Sequence, residues 1–255
     1  MKIARFSHDD RISYGIVDGT EIVVLDGDPM FSGFETLDER VPLADVTLLA
    51  PSIPRSKIVA VGKNYRDHVT EMGGADAQPP TEPLLFFKPN TSVIGPNNPI
   101  IIPPQTSEVS YEAELAIVIG SVAKNVPARD AHKVIFGYTL ANDITARDLQ
   151  RSDGQWARAK GFDSFCPLGP VIETEFEPAG KRIMSRLNGE TRQDGSLDDM
   201  IHDIPAIVEY VTAAFTMLPG DVILTGTPAG VGTIASGDVL EVEIEGLGIL
   251  SNPVA

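Results

Sequence analysis

Many short apolar runs, separated by Gly, Pro, Asn and Asp, predict an α+β fold in which β structure dominates. Three observations carry that expectation. Runs such as EIVVL, KIVAVG, ELAIVIG and VILTG are short and mostly β-branched. Only Asp203–Phe215 carries the full signature of a longer helix, with Asp203 at the cap and Pro205 just inside. Its apolar face is Ile204, Ile207, Val208, Val211, Ala214 and Phe215, which suits core or interface packing. Finally, 255 residues with 42% hydrophobic and 22% charged side chains describe a globular chain able to bury a substantial core.

In chain order, residues 1 to about 50 form a small β-rich piece in which ISYGIV and EIVVL flank the hairpin signal Asp18-Gly19-Thr20. The Pro-containing stretch Leu49–Pro54 reads as a linker, so the expected division is a small unit, 1–52, and a larger one, 53–255. KIVAVG is a buried strand, followed by a helix over Asn64–Met72 that Gly73-Gly74 ends. His68 and Glu71 share a face of that helix. Glu71 could there fix the imidazole tautomer and raise its basicity, as a general base requires, or the two could be a surface pair. GGADAQPPTEP then has the composition of a lid or a plain connector. EPLLFFKP reads as a strand with a structural task.

Tyr111–Gly120, YEAELAIVIG, is a strand apolar on both faces, which places Glu112 and Glu114 side by side on one of them. Carboxylates roughly 6–7 Å apart in partly desolvated surroundings repel one another. A hard divalent cation offsets that repulsion, as does pairing with Arg or Lys, or exposure at a strand end. A short helix capped by Asp130 and ended by Gly137 follows. The next strand, Gly137–Asp143, leads into ITARDLQR, where Arg147 and Gln150 share a helical face beside Asp143. Arg147 suits a substrate carboxylate, whereas a capped helix with an Asp148–Arg151 surface pair is the plain alternative. Lys160 next to Gly161 could reach into a site as a cation, or be solvated. Leu187–Glu190 reads as a tight hairpin, and DVLEVEIE and GILSNPV as two closing strands that meet at Gly246-Leu247-Gly248. In TPAGVG the glycines permit close backbone approach to a ligand, while the absence of Gly-Lys-Ser/Thr excludes a P-loop.

A formal charge of −16 argues against nucleic acid and anionic membrane surfaces as partners. No run is long and apolar enough to span a bilayer, the N-terminal residues lack a secretory signal, and the lone Cys166 forms no internal disulfide, all of which suggest a cytoplasmic protein. Cys166 itself reads as a buried structural thiol. His8, His132 and His202 have no paired spacing with one another or with His68, which disfavours a His-rich metal site.

Five segments, VGKNYRDHVTEM, SEVSYEAELAIVIG, GYTLANDITARDLQ, ARAKGFDSFCPLGP and VILTGTPAGVG, together resemble the fumarylacetoacetate hydrolase family in content and order. The resemblance implies a mixed β-sandwich roll behind a small N-terminal β domain, assembled as a homodimer. It also implies Mg²⁺ or Mn²⁺ bound by Glu112, Glu114 and Asp143, with His68 and Glu71 as a catalytic dyad on a helix that orders over ligand. Lys160 matches the family's active-site lysine, and Arg147, Gln150 and Thr227 match positions near the ligand. The expected substrate is a small 2-oxo acid, either oxaloacetate undergoing decarboxylation or an acylpyruvate undergoing hydrolysis, each giving pyruvate through a metal-stabilised enolate. An isomerase or decarboxylase of a seven-carbon hydroxy-diene-dioate is the alternative, and a non-catalytic protein binding structural Ca²⁺ a remote one.

Overall fold

The computed structural model describes residues 1–255. Strands dominate it, and no helix is long and apolar enough to cross a membrane. Twelve strands form the main sheet. Its path runs from Thr36–Pro42 through Glu21–Leu25, Arg11–Asp18 and Lys2–His8 to Cys166–Glu173, Ile135–Asn142 and Ala113–Ile119, and ends with Val222–Leu224, Ile58–Gly62 and Leu84–Lys88. Lys2–His8 joins the rest by antiparallel pairing, Lys2 opposite Glu173 and Ile3 opposite Ile172. A four-stranded sheet, Glu190–Ser196, Arg182–Leu187, Val239–Ile244 and Gly248–Pro253, packs against it, and a three-stranded sheet centres on Val109–Tyr111.

The Ala113–Ile119 strand is wholly buried because both of its faces are covered. Leu115, Ile117 and Ile119 pack with Ile207, Val208 and Val211 of the Ile204–Ala214 helix and with Ile183, Val242 and Ile244 of the smaller sheet. Ala116 and Val118 point the other way, onto Leu168, Val222 and Leu224. Each large aliphatic side chain buried in this way contributes about 1.5–3 kcal/mol. The helix begins where its cap predicts, with Asp203 accepting a hydrogen bond from the backbone N–H of Ala206 at 2.9 Å.

Turn chemistry accounts for the hairpins. Asn188 and Gly189 take φ of 54° and 81° between two antiparallel strands, the two left-handed positions that such a turn needs. Two expected elements differ. Tyr111–Gly120 is not one strand: it breaks at Glu112, whose backbone N–H donates to the Asn142 side chain at 2.9 Å, so Val109–Tyr111 and Ala113–Ile119 enter different sheets. The segment before Asp143 forms a 3₁₀ helix over Ala128–Lys133, and Gly137 lies inside the next strand, Ile135–Asn142, instead of ending a helix. Added methyl volume at Gly137 would lie 2.6 Å from Ile172, so the glycine serves close strand packing.

Candidate active site

Glu114 lies within the Ala113–Ile119 strand, Glu112 at the break just before it, and Asp143 just beyond the end of Ile135–Asn142. Antiparallel pairing sets Ala113 opposite Asn142, which brings these three acids to one end of the sheet. All three are buried, and one carboxylate oxygen from each lies within 4.8 Å of the others. The cavity above them, about 260 Å³, is also bordered by His68, Arg147, Gln150, Lys160 and Thr227. Eight of the nine side chains singled out from sequence therefore border one cavity. Glu71, the ninth, stands behind His68, and His8, His132 and His202 lie elsewhere.

The Arg66–Gly73 helix carries His68 and Glu71. His68 is buried, and its Nδ1 lies 3.2 Å from Glu71 Oε2. Its Nε2 faces Glu112 Oε1 at 4.0 Å. The other oxygen of Glu71 accepts a hydrogen bond from the backbone N–H of Gly230 at 3.0 Å, which latches the helix to the TPAGVG segment. With Nδ1–H donating to Glu71, Nε2 is left as an acceptor toward the cavity.

The short Ala157–Gly161 helix carries Lys160, which is buried and donates to Glu112 Oε2 and Asp143 Oδ2, both at 2.6 Å. Arg147 donates to Glu112 Oε1 at 2.6 Å and to Gln150 Oε1 at 3.0 Å. Thr227 Oγ1 accepts from Gln193, whose own carbonyl oxygen accepts from the backbone N–H of Ala113. The Asp148–Arg151 pair does not form, because Asp148 binds Thr106 and Ser107 while Arg151 pairs with Glu108.

Two neighbouring carboxyls respond in opposite directions. Burial would raise Glu112, but Lys160 and Arg147, with His68 behind them, outweigh it and hold that carboxyl far below the usual range. Glu114 is pushed well above it by burial and then by the charges of Asp143 and Glu112, which outweigh the charge of Lys160 and the Gly226 N–H that donates to it at 2.6 Å. That carboxylate has no directly bonded cationic partner. Three buried carboxylates, one of them bonded to no cation, fit a hard divalent cation, whose charge would relieve the repulsion that acts on Glu114. Cys166 is buried and its thiol is pushed up to about 12 by burial, so it is inert toward this chemistry.

Two polar residues missed by sequence reasoning hold this arrangement. Lys88, in the Leu84–Lys88 strand expected to be merely structural, is buried. It donates to Asp143 Oδ1 at 2.6 Å, to the Ile144 carbonyl at 3.3 Å and to the carbonyl of Lys160. Strand alternation offered a signal, since it sets Lys88 on the same face as the cavity-lining Phe86. Gln193 offered none, lying in a polar run, ETRQDGS.

Residues 57–255 match the family description "Fumarylacetoacetate (FAA) hydrolase C-terminal", and residues 1–51 match "Rv2993c-like, N-terminal". Protein Rv2993c of Mycobacterium tuberculosis is 50% identical over 268 residues, covering 100% of this chain and 98% of its own length. Human mitochondrial oxaloacetate tautomerase FAHD2A is 41% identical over 226 residues, covering 84% of this chain and 71% of that protein. Among solved structures, 2-hydroxyhepta-2,4-diene-1,7-dioate isomerase from Mycobacterium marinum superposes with a TM-score of 0.92 at 44% identity, covering 100% of this chain and 98% of that one. Maleylpyruvate hydrolase from Sphingobium sp. SYK-6, in complex with manganese(II) and pyruvate, superposes with a TM-score of 0.82 at 31% identity, covering 100% of this chain and 99% of that one.

Proposed function

Because the chain belongs to the fumarylacetoacetate hydrolase family and is an enzyme of that family, we propose that it cleaves a carbon–carbon bond in small 2-oxo acids. The products would be pyruvate and CO₂ from oxaloacetate, or pyruvate and a carboxylic acid from an acylpyruvate. The observation that carries this reading is His68, with one ring nitrogen turned toward the three-carboxylate cluster and the other tied to Glu71. Glu112, Glu114 and Asp143 would hold Mg²⁺ or Mn²⁺, which when bound would act as a Lewis acid on the carboxylate and keto oxygens of the substrate.

The remaining tasks belong to side chains. Arg147, Gln150 and Thr227 border the cavity and would orient the substrate's 2-oxo acid end. Lys160 uses two of its three N–H bonds on Glu112 and Asp143, so one is free for the keto oxygen as charge develops there. With an acylpyruvate, Nε2 of His68 would take a proton from the water attacking C4. The C3–C4 pair then moves onto C3 and the keto oxygen, and His68 returns the proton to C3. Oxaloacetate needs no water: C4 departs as CO₂, and C3 is protonated to give pyruvate.

A second reading is proton transfer without cleavage, as isomerase or tautomerase, using the same dyad. The names of the human and M. marinum relatives favour it. Proton NMR of the Mn²⁺-loaded protein with oxaloacetate, acetylpyruvate and a seven-carbon hydroxy-diene-dioate decides between them, with a chelator-treated control. Pyruvate from the first two, abolished by chelator, supports cleavage. Double-bond migration in the dioate, or keto–enol exchange of oxaloacetate without pyruvate, supports the second reading; no conversion of any of them sinks both. The same reading takes residues 1–52 as a small N-terminal unit and 53–255 as the catalytic one, supported by the separate matches to 1–51 and 57–255.

A further inference from the structure

Four cationic side chains border the cavity: Lys63, Arg147, Arg151 and Lys160. Three are engaged within the protein. Arg147 is held by Glu112 and Gln150, Lys160 by Glu112 and Asp143, and Arg151 by Glu108. Lys63 is exposed, and its ammonium makes neither a hydrogen bond nor an ion pair with any residue of the chain; the carboxylates that form ion pairs around the cavity are taken by the other three and by His68 and Lys88.

Its backbone is unusual as well. Lys63 sits in the turn between the Ile58–Gly62 strand and the Arg66–Gly73 helix with φ of 59°, in the left-handed region that lysine rarely adopts. Asparagine or glycine would occupy that conformation at lower cost. A strained lysine with an unpaired charge at the edge of a cavity is what an incoming anion would use.

We propose that Lys63 binds the distal carboxylate of the substrate, so that the enzyme prefers 2-oxo acids bearing a second carboxylate over those with only one. This rests on the reading of the site as a 2-oxo acid site. The 2-oxo end faces the buried carboxylate cluster and its committed cations, which leaves Lys63 as the one uncommitted cation for charge at the other end. An acylpyruvate such as acetylpyruvate carries no charge there and gains nothing from it.

The test is the ratio of KM for oxaloacetate to KM for acetylpyruvate, with the hydroxy-diene-dioate replacing oxaloacetate if only it is turned over; the comparison ligand for the dioate is then its monoacid analogue lacking the distal carboxylate. Lys63→Met is expected to raise that ratio about tenfold, the scale of one charge-assisted hydrogen bond, and Lys63→Arg to restore most of it. Lys63→Gly separates charge from strain: its backbone suits the turn, so it is expected to melt no lower than the unaltered enzyme while showing the same rise in ratio. An unchanged ratio in Lys63→Met and Lys63→Gly overturns the inference, as does an equal rise in both KM values. If the unaltered enzyme converts none of these acids, the parent reading falls and this inference with it; conversion with an unshifted ratio removes only the role of Lys63.

Discussion

At His68 the two ring nitrogens meet different partners, Glu71 and Glu112, and in the proposed function have different tasks that substitution separates. His68→Ala is expected to lower kcat by about 10²–10⁴-fold while leaving Mn²⁺ affinity intact by calorimetry, because the base is not a ligand. Loss of affinity would make His68 a ligand instead. Glu114→Ala should remove both metal binding and activity, since among the three proposed ligands its carboxylate is the one bonded to no cation, accepting only from the Gly226 N–H. Lys88→Met is expected to destabilise the fold by about 3 kcal/mol in denaturant titrations, because it leaves Asp143 Oδ1 and two buried carbonyls without their donor. That eight of the nine residues would meet at one cavity was legible mainly through the ordered segments that resemble the family, since Lys160 and Thr227 carry little local signal of their own. Lys88 was less so: strand alternation puts it on the face of Phe86, but its partners lie 55, 56 and 72 positions away, so its burial is set by distant segments.

Among the elements, the TPAGVG segment shows how backbone shape and chemistry meet. Gly230 has φ of 101°, and a methyl group on it would lie 2.1 Å from the Arg192 carbonyl oxygen. Gly230→Ala should therefore cost more than about 1 kcal/mol in thermal melts and displace the N–H that Glu71 accepts, lowering kcat even for folded protein. Normal kcat in a folded variant would show that the latch is dispensable. The long helix and the Leu187–Glu190 hairpin could be read in advance because caps and left-handed turn residues are local signals. The break at Glu112 could not, since periodicity within one strand is blind to a change of sheet partner; only the Asn142 side chain, 30 residues on, satisfies that backbone N–H.

For the whole molecule, stability should depend on pH and on metal. Burial would raise Asp221, but the Ser56 hydroxyl and the backbone N–H groups of Leu218, Ser56 and Lys57 outweigh it, so its carboxyl sits below the ordinary range. A depressed value means stability that is present above the unfolded pKa and lost as pH falls through the folded one. Urea unfolding at about pH 7 and about pH 3 should show that loss, with Asp221→Asn less stable at neutral pH and less sensitive to acid. Mn²⁺ at about 100 times its Kd should add about 2.7 kcal/mol, reversed by chelator. If the enzyme is the homodimer that the family resemblance suggests, the edge strand Leu84–Lys88, with Leu84 and Phe87 exposed, is one place for contact, and sedimentation should give twice the 27.3 kDa chain mass. The β-dominant class was readable from composition and run length, whereas sheet order was not, because it is decided by pairings between distant segments.

That order has a consequence for synthesis. Lys2 pairs with Glu173, so the first strand leaves the ribosome 171 residues ahead of its partner. At about 5–20 residues per second it waits roughly 10–35 s with that edge unmatched. Its other edge can pair early with Arg11–Asp18, and residues 5–7 of the waiting edge can pair with Thr47–Leu49, so the nascent chain can shelter part of this strand before the sheet that carries Asp143 exists.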